Sequence, residues 1–338
     1  MDSGEITILD VAKLAGLSPT TVSQALNGKR PVSNAAKEKI FAAVEQLGYV
    51  PSRGASTLKS GTSCIIGCYA ADITESFANL IVRGVERGLS GTPYSMLFVS
   101  GMEFENNFSK ALKFLLSYKM DGLLLCYPLP VLQEITTGLK NVNVPVISVN
   151  SELSGIKSII PDNVSGGKIA AEHLYDCGMR HPAMISGPET RLSSLRRMEG
   201  FSFRLKELGI QLLKDQICFG SFSYENGFNS AEKLISSFPE IDGIFCANDY
   251  IAAGAIACLE KNGRKVPADV KILGFDNRDF SSFWQVPIST FEQPLELMGK
   301  TASETLCRCI ASKEPLEPNI QLLQSKLIVR KSTDCNSV

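Results

Sequence analysis

The sequence predicts a small all-α helix-turn-helix headpiece, then a short linker, then an α/β body of two doubly wound parallel-sheet subdomains. Three observations predict it. Residues 7–27 read as two short helices around a tight turn. From Ser63 on, apolar strand-like runs alternate with helical patterns. That alternation comes as two series that echo each other: Asp121-Gly122-Leu123-Leu124-Leu125-Cys126 returns in type as Asp242-Gly243-Ile244-Phe245-Cys246-Ala247.

In the headpiece, Thr7 is placed to cap a first helix with its side-chain oxygen. Ile8, Val11, Ala12 and Ala15 share one helical face. Gly16 supplies a left-handed stop. Ser18 caps the second helix, and Pro19 takes its first position, where a missing amide costs nothing. Val22 and Leu26 face back onto the first helix. That turns Pro19, Thr20, Thr21, Ser23, Gln24 and Asn27 outward, all short or hydrogen-bonding, as residues that read a DNA major groove should be. A plain helical hairpin also has a glycine between its helices and polar residues outside. Ser33 caps a third helix with Ile40, Val44 and Leu47 at helical spacing, ended by Gly48. Its Phe41 and Val44 face is expected to close the headpiece core.

The run Thr7-Ile8-Leu9-Asp10-Val11-Ala12-Lys13-Leu14-Ala15-Gly16-Leu17-Ser18-Pro19-Thr20-Thr21-Val22-Ser23-Gln24-Ala25-Leu26-Asn27 closely resembles the DNA-binding headpiece of the lactose/galactose-repressor (LacI/GalR) family. That pattern runs T-I-x-D-V-A-x-x-A-G-V-S-x-x-T-V-S-x-x-L-N, and Leu17 is a mild departure. The resemblance implies DNA contacts from Thr7, Ser18, Pro19, Thr20, Thr21, Ser23, Gln24, Asn27 and Ser33. Gln24 stands where the family often has an arginine that reads guanine, and glutamine prefers adenine.

The linker, Ser52 to Gly61, is polar with one large apolar residue, Leu58. Alone it reads as flexible, because so short a helix is marginal in water. The family's linker pattern P-N-x-x-A-R-x-L is matched at Pro51, Ala55 and Leu58, with Ser52 and Ser56 departing. The resemblance implies a hinge that folds on DNA and a Leu58 pair wedged into the central base step.

The body carries strands near 63–70, 94–100, 121–127 and 145–149, with helices near 76–90 and 106–118. The second series has strands near 182–186, 216–219, 242–247 and 270–275, with helices near 163–177, 192–208, 225–237 and 249–262. The domains are expected at 1–50, 51–62 and 63–331. The body splits into 63–161 plus 293–320, and 162–292 plus 321–331. Two such subdomains predict a cleft beyond their strand ends. The family's effector domain, which resembles periplasmic sugar-binding proteins, covers this span.

Polar residues at strand exits are the candidates for that cleft: Asp72 and Phe77, Asn150, then Arg191, Ser193 and Arg197, Phe222, Asn248, and Asp276. Asp249 reads as an N-cap. Carboxylate, amide and guanidinium beside aromatic rings suit a hydroxylated small molecule. The resemblance assigns effector binding to Arg197, Asn248 and Asp276, with Asn150 and Phe222 at further pocket positions. Arg197-Met198-Glu199-Gly200-Phe201 fits the family's R-x-x-G-F/W. A purine-responsive branch is matched loosely by Phe77, Arg191, Ser193, Arg197, Phe222 and Asp276, but Ser76 stands where that branch stacks an aromatic. A sugar or sugar derivative is favoured over a purine. The family's Asn-Pro-Phe-Phe after the first strand is Glu75-Ser76-Phe77-Ala78 here, and its Gly-His-Arg is Gly178-Met179-Arg180.

Composition excludes other classes. Net charge is −1, with a mildly basic first 60 residues. The acidic, polar start is unlike a secretory signal, and no apolar run is long enough to span a membrane. The chain is expected in the cytoplasm, where cysteines such as Cys64, Cys68, Cys126 and Cys246 read as free thiols. Cys64/Cys68 and Cys307/Cys309 lack partner ligands and the chain has only two histidines, so no metal is expected. Gly299-Lys300-Thr301 resembles a P-loop end, but Pro294 replaces its first glycine. No catalytic constellation and no cofactor is expected. A transport-type solute-binding protein is the rival from the body alone. The expected partners are operator DNA, a small-molecule effector and a second copy of the chain. The tail Lys331 to Val338 lacks leucine heptads, so a dimer is expected rather than a coiled-coil tetramer.

Overall fold

The computed structural model describes residues 6–27, 32–50, 62–74, 76–126, 132–140 and 142–334. Ala55, Leu58 and Glu75 lie outside the described residues. The chain divides into two compact units at Ser63.

The first unit holds α1 (Ile8–Ala15), α2 (Pro19–Asn27) and α3 (Asn34–Leu47). Val11, Val22 and Ile40, one from each helix, are fully buried against one another's neighbours Ala12, Ala15 and Ala43. Each such side chain contributes about 1.5–3 kcal/mol. Gly16 and Gly48 both take left-handed backbones, at φ 65° and 62°, and end α1 and α3. Phe41 departs from expectation: it is 53% exposed. Ile40, Ala43, Val44 and Leu47 follow the i, i+3, i+4, i+7 spacing of one face, and Phe41 sits about 100° off it.

The second unit holds two parallel sheets, each between helices. The first sheet is built from β1 (Ile65–Ala70), β2 (Ser95–Ser100), β3 (Gly122–Cys126), β4 (Val146–Val149) and β5 (Lys157–Pro161). The helices α4 (Ser76–Leu89), α5 (Phe108–Ser117) and α6 (Leu132–Leu139) fall between its strands. The second sheet is built from β6 (Pro182–Ile185), β7 (Ile217–Cys218), β8 (Gly243–Cys246) and β9 (Lys271–Leu273). Its helices are α7 (Asn163–Asp176), α8 (Leu192–Glu207), α9 (Tyr224–Ser237) and α10 (Asp249–Lys261). The chain then passes through β10 (Thr290–Glu292), α11 (Leu295–Ser312), β11 (Ile320–Leu323) and β12 (Lys326–Ile328).

Strand order is β11-β5-β4-β3-β1-β2 in the first sheet and β7-β6-β8-β9 in the second. β11 pairs in parallel with β5, while β12 pairs antiparallel with β10. The chain therefore crosses back between the lobes after Leu323.

The echo between the two series has a physical basis. The Asp121 carboxylate accepts from the Cys64 amide at 2.7 Å, at the entry of β1. The Asp242 carboxylate accepts from the Arg180 and His181 amides at the entry of β6. In each lobe an aspartate before the third strand of the series anchors the start of its neighbour.

Helix pairs cross at glycine. A Cβ on Gly200 of α8 would meet the Val164 carbonyl of α7 at 2.0 Å, and one on Gly299 of α11 would meet the Ile81 carbonyl of α4 at 2.1 Å. Gly299, the P-loop-like glycine, is thus a helix-crossing residue. Among the described cysteines eight are free, Cys64, Cys68, Cys126 and Cys246 among them as expected, and Cys177 is disulfide-bonded. No described helix is long and apolar enough to cross a membrane, and no metal-ligating cluster occurs among the described residues.

Candidate functional site

A cavity of about 420 Å³ lies beyond the strand ends of the two lobes. Both sheets change direction of winding at their central strands, and ligands of such sheets bind outside those carboxyl ends. Eight of the nine residues expected there line it: Phe77, Asn150, Arg191, Ser193, Arg197, Phe222, Asn248 and Asp276. Asp72 does not. It is half-buried, and its Oδ1 accepts from the Thr74 amide at 2.8 Å and hydroxyl at 2.7 Å. Those bonds hold its carboxyl below the usual range. Asp72 closes a turn after β1.

Arg197 is the centre of the polar wall. It enters from the second turn of α8 and is buried. Its guanidinium carbon lies 3.6 Å from the centroid of the Phe275 ring, a stacked cation–π contact. Its Nε donates to Asn163 Oδ1 at 2.9 Å and its Nη1 to the Ala247 carbonyl at 2.5 Å. The Asp276 carboxylate is 3.7 Å from Nη1. Plane and rotamer are therefore set before any ligand enters.

Asp276 follows β9 in a left-handed backbone, φ 107°, where an L side chain is strained. Its amide donates to the Phe291 carbonyl and its Oδ1 accepts from Gln293 Nε2 at 2.6 Å. Asn150 ends β4 at φ 61°. Asn248, not Asp249, caps α10: its Oδ1 accepts from the Ile251 amide at 2.9 Å. Its oxygen is thus engaged in the cap, and its NH2 group supplies two donors at the cavity wall.

Asp249 is inside the fold. Its Oδ1 accepts from the Thr290 hydroxyl at 2.6 Å and its Oδ2 from the Arg278 amide at 2.7 Å. Burial, then the nearby Asp276 carboxylate, push its carboxyl up to about 8. Asp249 thus fixes the backbone of Arg278 from below.

The headpiece presents a separate candidate surface. Ser18, Pro19 and Thr20 are exposed, and Thr21, Ser23 and Gln24 are half-buried along the same helix. Ser18 Oγ accepts from the Thr21 amide at 3.1 Å, capping α2, and Ser33 Oγ accepts from the Ala36 amide at 3.4 Å, capping α3. Asn27 is the last residue of α2. Thr7 stands at the N-cap of α1, as expected, in a capping box with Asp10: its amide and hydroxyl both donate to Asp10 Oδ2, at 2.8 and 2.7 Å.

Both parts of the chain match known proteins. The family model described as bacterial regulatory proteins, lacI family, matches residues 7–52, and that described as periplasmic binding protein-like domain matches residues 171–333. The HTH-type transcriptional repressor PurR of Vibrio parahaemolyticus is 31% identical over 328 residues, covering 96% of this chain and 98% of that protein. The chain belongs to the LacI family. A second relative of this LacI-family chain, the ribose operon repressor of Escherichia coli, is 30% identical over 94% of this chain and 96% of its own. A Lac repressor dimer bound to operator and the anti-inducer ONPF superposes with a TM-score of 0.82 at 28% identity, covering 97% of this chain and 99% of that one. The protein is a ligand-responsive transcriptional repressor with a DNA-binding headpiece, and not an enzyme.

Several cavity residues of this LacI-family repressor escaped sequence reasoning. Arg278 stands with its guanidinium carbon 4.1 Å from the Phe77 ring centroid and 5.5 Å from that of Tyr250. Arg196 is ion-paired with Glu152. Gln293 and Asn163 orient Asp276 and Arg197. One signal was available: Arg278 lies two residues past Asp276, in the same strand exit.

Proposed function

We propose that this repressor binds a near-palindromic operator as a cytoplasmic homodimer and senses a sugar or sugar derivative in the cavity. Two headpieces related by two-fold symmetry would read two half-sites through Pro19, Thr20, Thr21, Ser23, Gln24 and Asn27. Support for the dimer comes from the similar Lac repressor, whose structure is of a dimer on operator. Leu58 from each hinge would wedge the central step, aided by Ala55.

The observation that carries the effector reading is the fixed guanidinium of Arg197 beside Asp276, Asn248 and Asn150, with Phe77 and Phe222 on the same walls. Vicinal hydroxyls both donate and accept, so they satisfy carboxylate, amide and guanidinium at once. The aromatic rings cover the apolar face of the ring. Binding would favour one arrangement of the two lobes and so change how the hinges are presented.

A purine effector has support too. The similar PurR relatives and the Arg191, Ser193 and Phe222 positions favour it. Against it, Ser76 offers no second aromatic for a flat base.

Two steps test the proposal. Selection from random duplexes with the full chain should yield a two-fold symmetric site holding two protomers, and a site bound by one protomer would overturn the dimer. Calorimetric titration with sugars, sugar derivatives and purines should then show a sugar that binds the wild type and not Arg197→Ala. Purine binding without sugar binding would overturn the effector assignment.

A further inference from the structure

We infer that the cavity is built for a two-ring ligand, a hydroxylated ring at its buried polar end joined to a second ring that lies against an apolar rim; this rests on the reading of the cavity as the effector site. At about 420 Å³ the cavity falls in the range of roughly 300–1,000 Å³ that takes ligands of drug size. Its wall is graded from inside to outside. Arg197, Asn248 and Gln293 are buried and supply polar groups at the inner end. Leu192 and Tyr250 line the same cavity but are 49% and 41% exposed, and Phe222 is half-buried.

The second sheet sets where these three stand. Phe222 follows β7, Leu192 follows β6 as the first residue of α8, and Tyr250 follows β8 as the second residue of α10. The strand order β7-β6-β8 therefore places Phe222, Leu192 and Tyr250 in sequence along one edge of the mouth. Two strand spacings make that edge about 10 Å long, more than a single ring covers. Local folding does not call for large apolar side chains here, because helix starts are capped by small polar groups, as Asn248 caps α10. The rim is also held in place. A Cβ on Gly187 would meet the Phe222 ring at 2.3 Å, so the ring lies directly over that glycine. The Tyr250 ring packs on Phe280 with 4.9 Å between centroids, and Phe280 packs on Trp284 at 5.6 Å. Aromatic surface that is already fixed, and still wet, gains from being covered at little further cost in order. A single sugar seated at Arg197 leaves this edge in water, whereas a second ring joined to it covers the edge.

The test titrates the full-length protein, by calorimetry and thermal shift, with matched one-ring and two-ring probes: D-glucose against maltose and phenyl β-D-glucoside, D-galactose against lactose and phenyl β-D-galactoside, D-ribose against adenosine. In at least one set a two-ring member should bind roughly tenfold more tightly than its one-ring partner, or better. Leu192→Ala and Tyr250→Ala should each cut that preference several-fold, and Tyr250→Phe should keep it. Both alanine variants replace exposed side chains, and an unliganded Tm near that of the wild type separates lost binding from lost folding. The disaccharide, aryl and nucleoside arms distinguish the source of the second ring. One-ring members that bind as tightly as their two-ring partners would overturn the inference and leave the effector site standing. So would a preference that survives in both alanine variants. Failure of every probe to bind would overturn the inference together with the effector-site reading on which it rests.

Discussion

Replacing Asp249 by asparagine should change how the stability of the second lobe depends on pH. In the native fold this carboxyl titrates near 8, against an unperturbed 3.8, because it is buried and faces Asp276. The folded chain therefore holds a proton that the unfolded chain releases between those values. The stabilisation is fully present below pH 3.8 and is lost as pH rises through 8. A difference of about 4 units at 1.36 kcal/mol each sets the loss at up to ~6 kcal/mol. Asparagine does not titrate, so the variant lacks this slope. It also gives up one acceptor, because Thr290 Oγ1 and the Arg278 amide each donate to a different oxygen. That costs about 1–3 kcal/mol at every pH. Asp249→Asn should therefore be the less stable protein near pH 4.5 and the more stable one at pH 8.5. Urea unfolding followed by Trp284 reads this lobe directly. It is the chain's one tryptophan, and it packs against Phe280 and Tyr224. Parallel stability curves for the two proteins across that pH range would refute the reasoning.

Other perturbations test other parts. Arg197→Lys keeps the charge but loses the planar stack on Phe275 and the fork that reaches Asn163 and Ala247; ligand affinity measured by calorimetry should fall about 10- to 100-fold. Gly200→Ala places a methyl 2.0 Å from the Val164 carbonyl, and the α7–α8 crossing should lose about 1–3 kcal/mol in denaturant unfolding. Gln24→Arg should move the preferred base from adenine to guanine at one position of each half-site in a binding-site selection. Leu58→Ala should weaken operator binding far more than nonspecific binding in gel shifts, because only the operator complex uses the wedge.

The alternation of strands and helices was legible because most buried strands are apolar runs, as Gly122–Cys126 is, and several helices start at a capping side chain, as at Ser223 and Asn248. β5 was missed. Its Lys157-Ser158-Ile159-Ile160-Pro161 has two apolar residues before a proline, and its edge is completed only by β11, more than 150 residues later. Eight cavity residues were found because polar residues at strand exits are few. Asp249 was misjudged because sequence proximity cannot tell a cap from its neighbour. The residue before it caps α10, and the contacts that engage Asp249 come from Thr290 and Arg278. Asp72 failed for the related reason that a strand-exit aspartate can close its own turn through Thr74. Arg278 was passed over because the rings that frame it, Phe77 and Tyr250, sit on helices distant in sequence.

The central claim is that a ligand in this cavity controls DNA affinity. The most direct measurement is the Kd of the full-length protein for its selected operator, by fluorescence anisotropy, with and without a ligand shown to raise its Tm. The account predicts that the ligand changes the wild-type Kd by roughly tenfold or more, as a coupling of 1–3 kcal/mol requires, and leaves the Kd of Arg197→Lys unchanged. An operator affinity independent of a ligand that demonstrably occupies the cavity would contradict it.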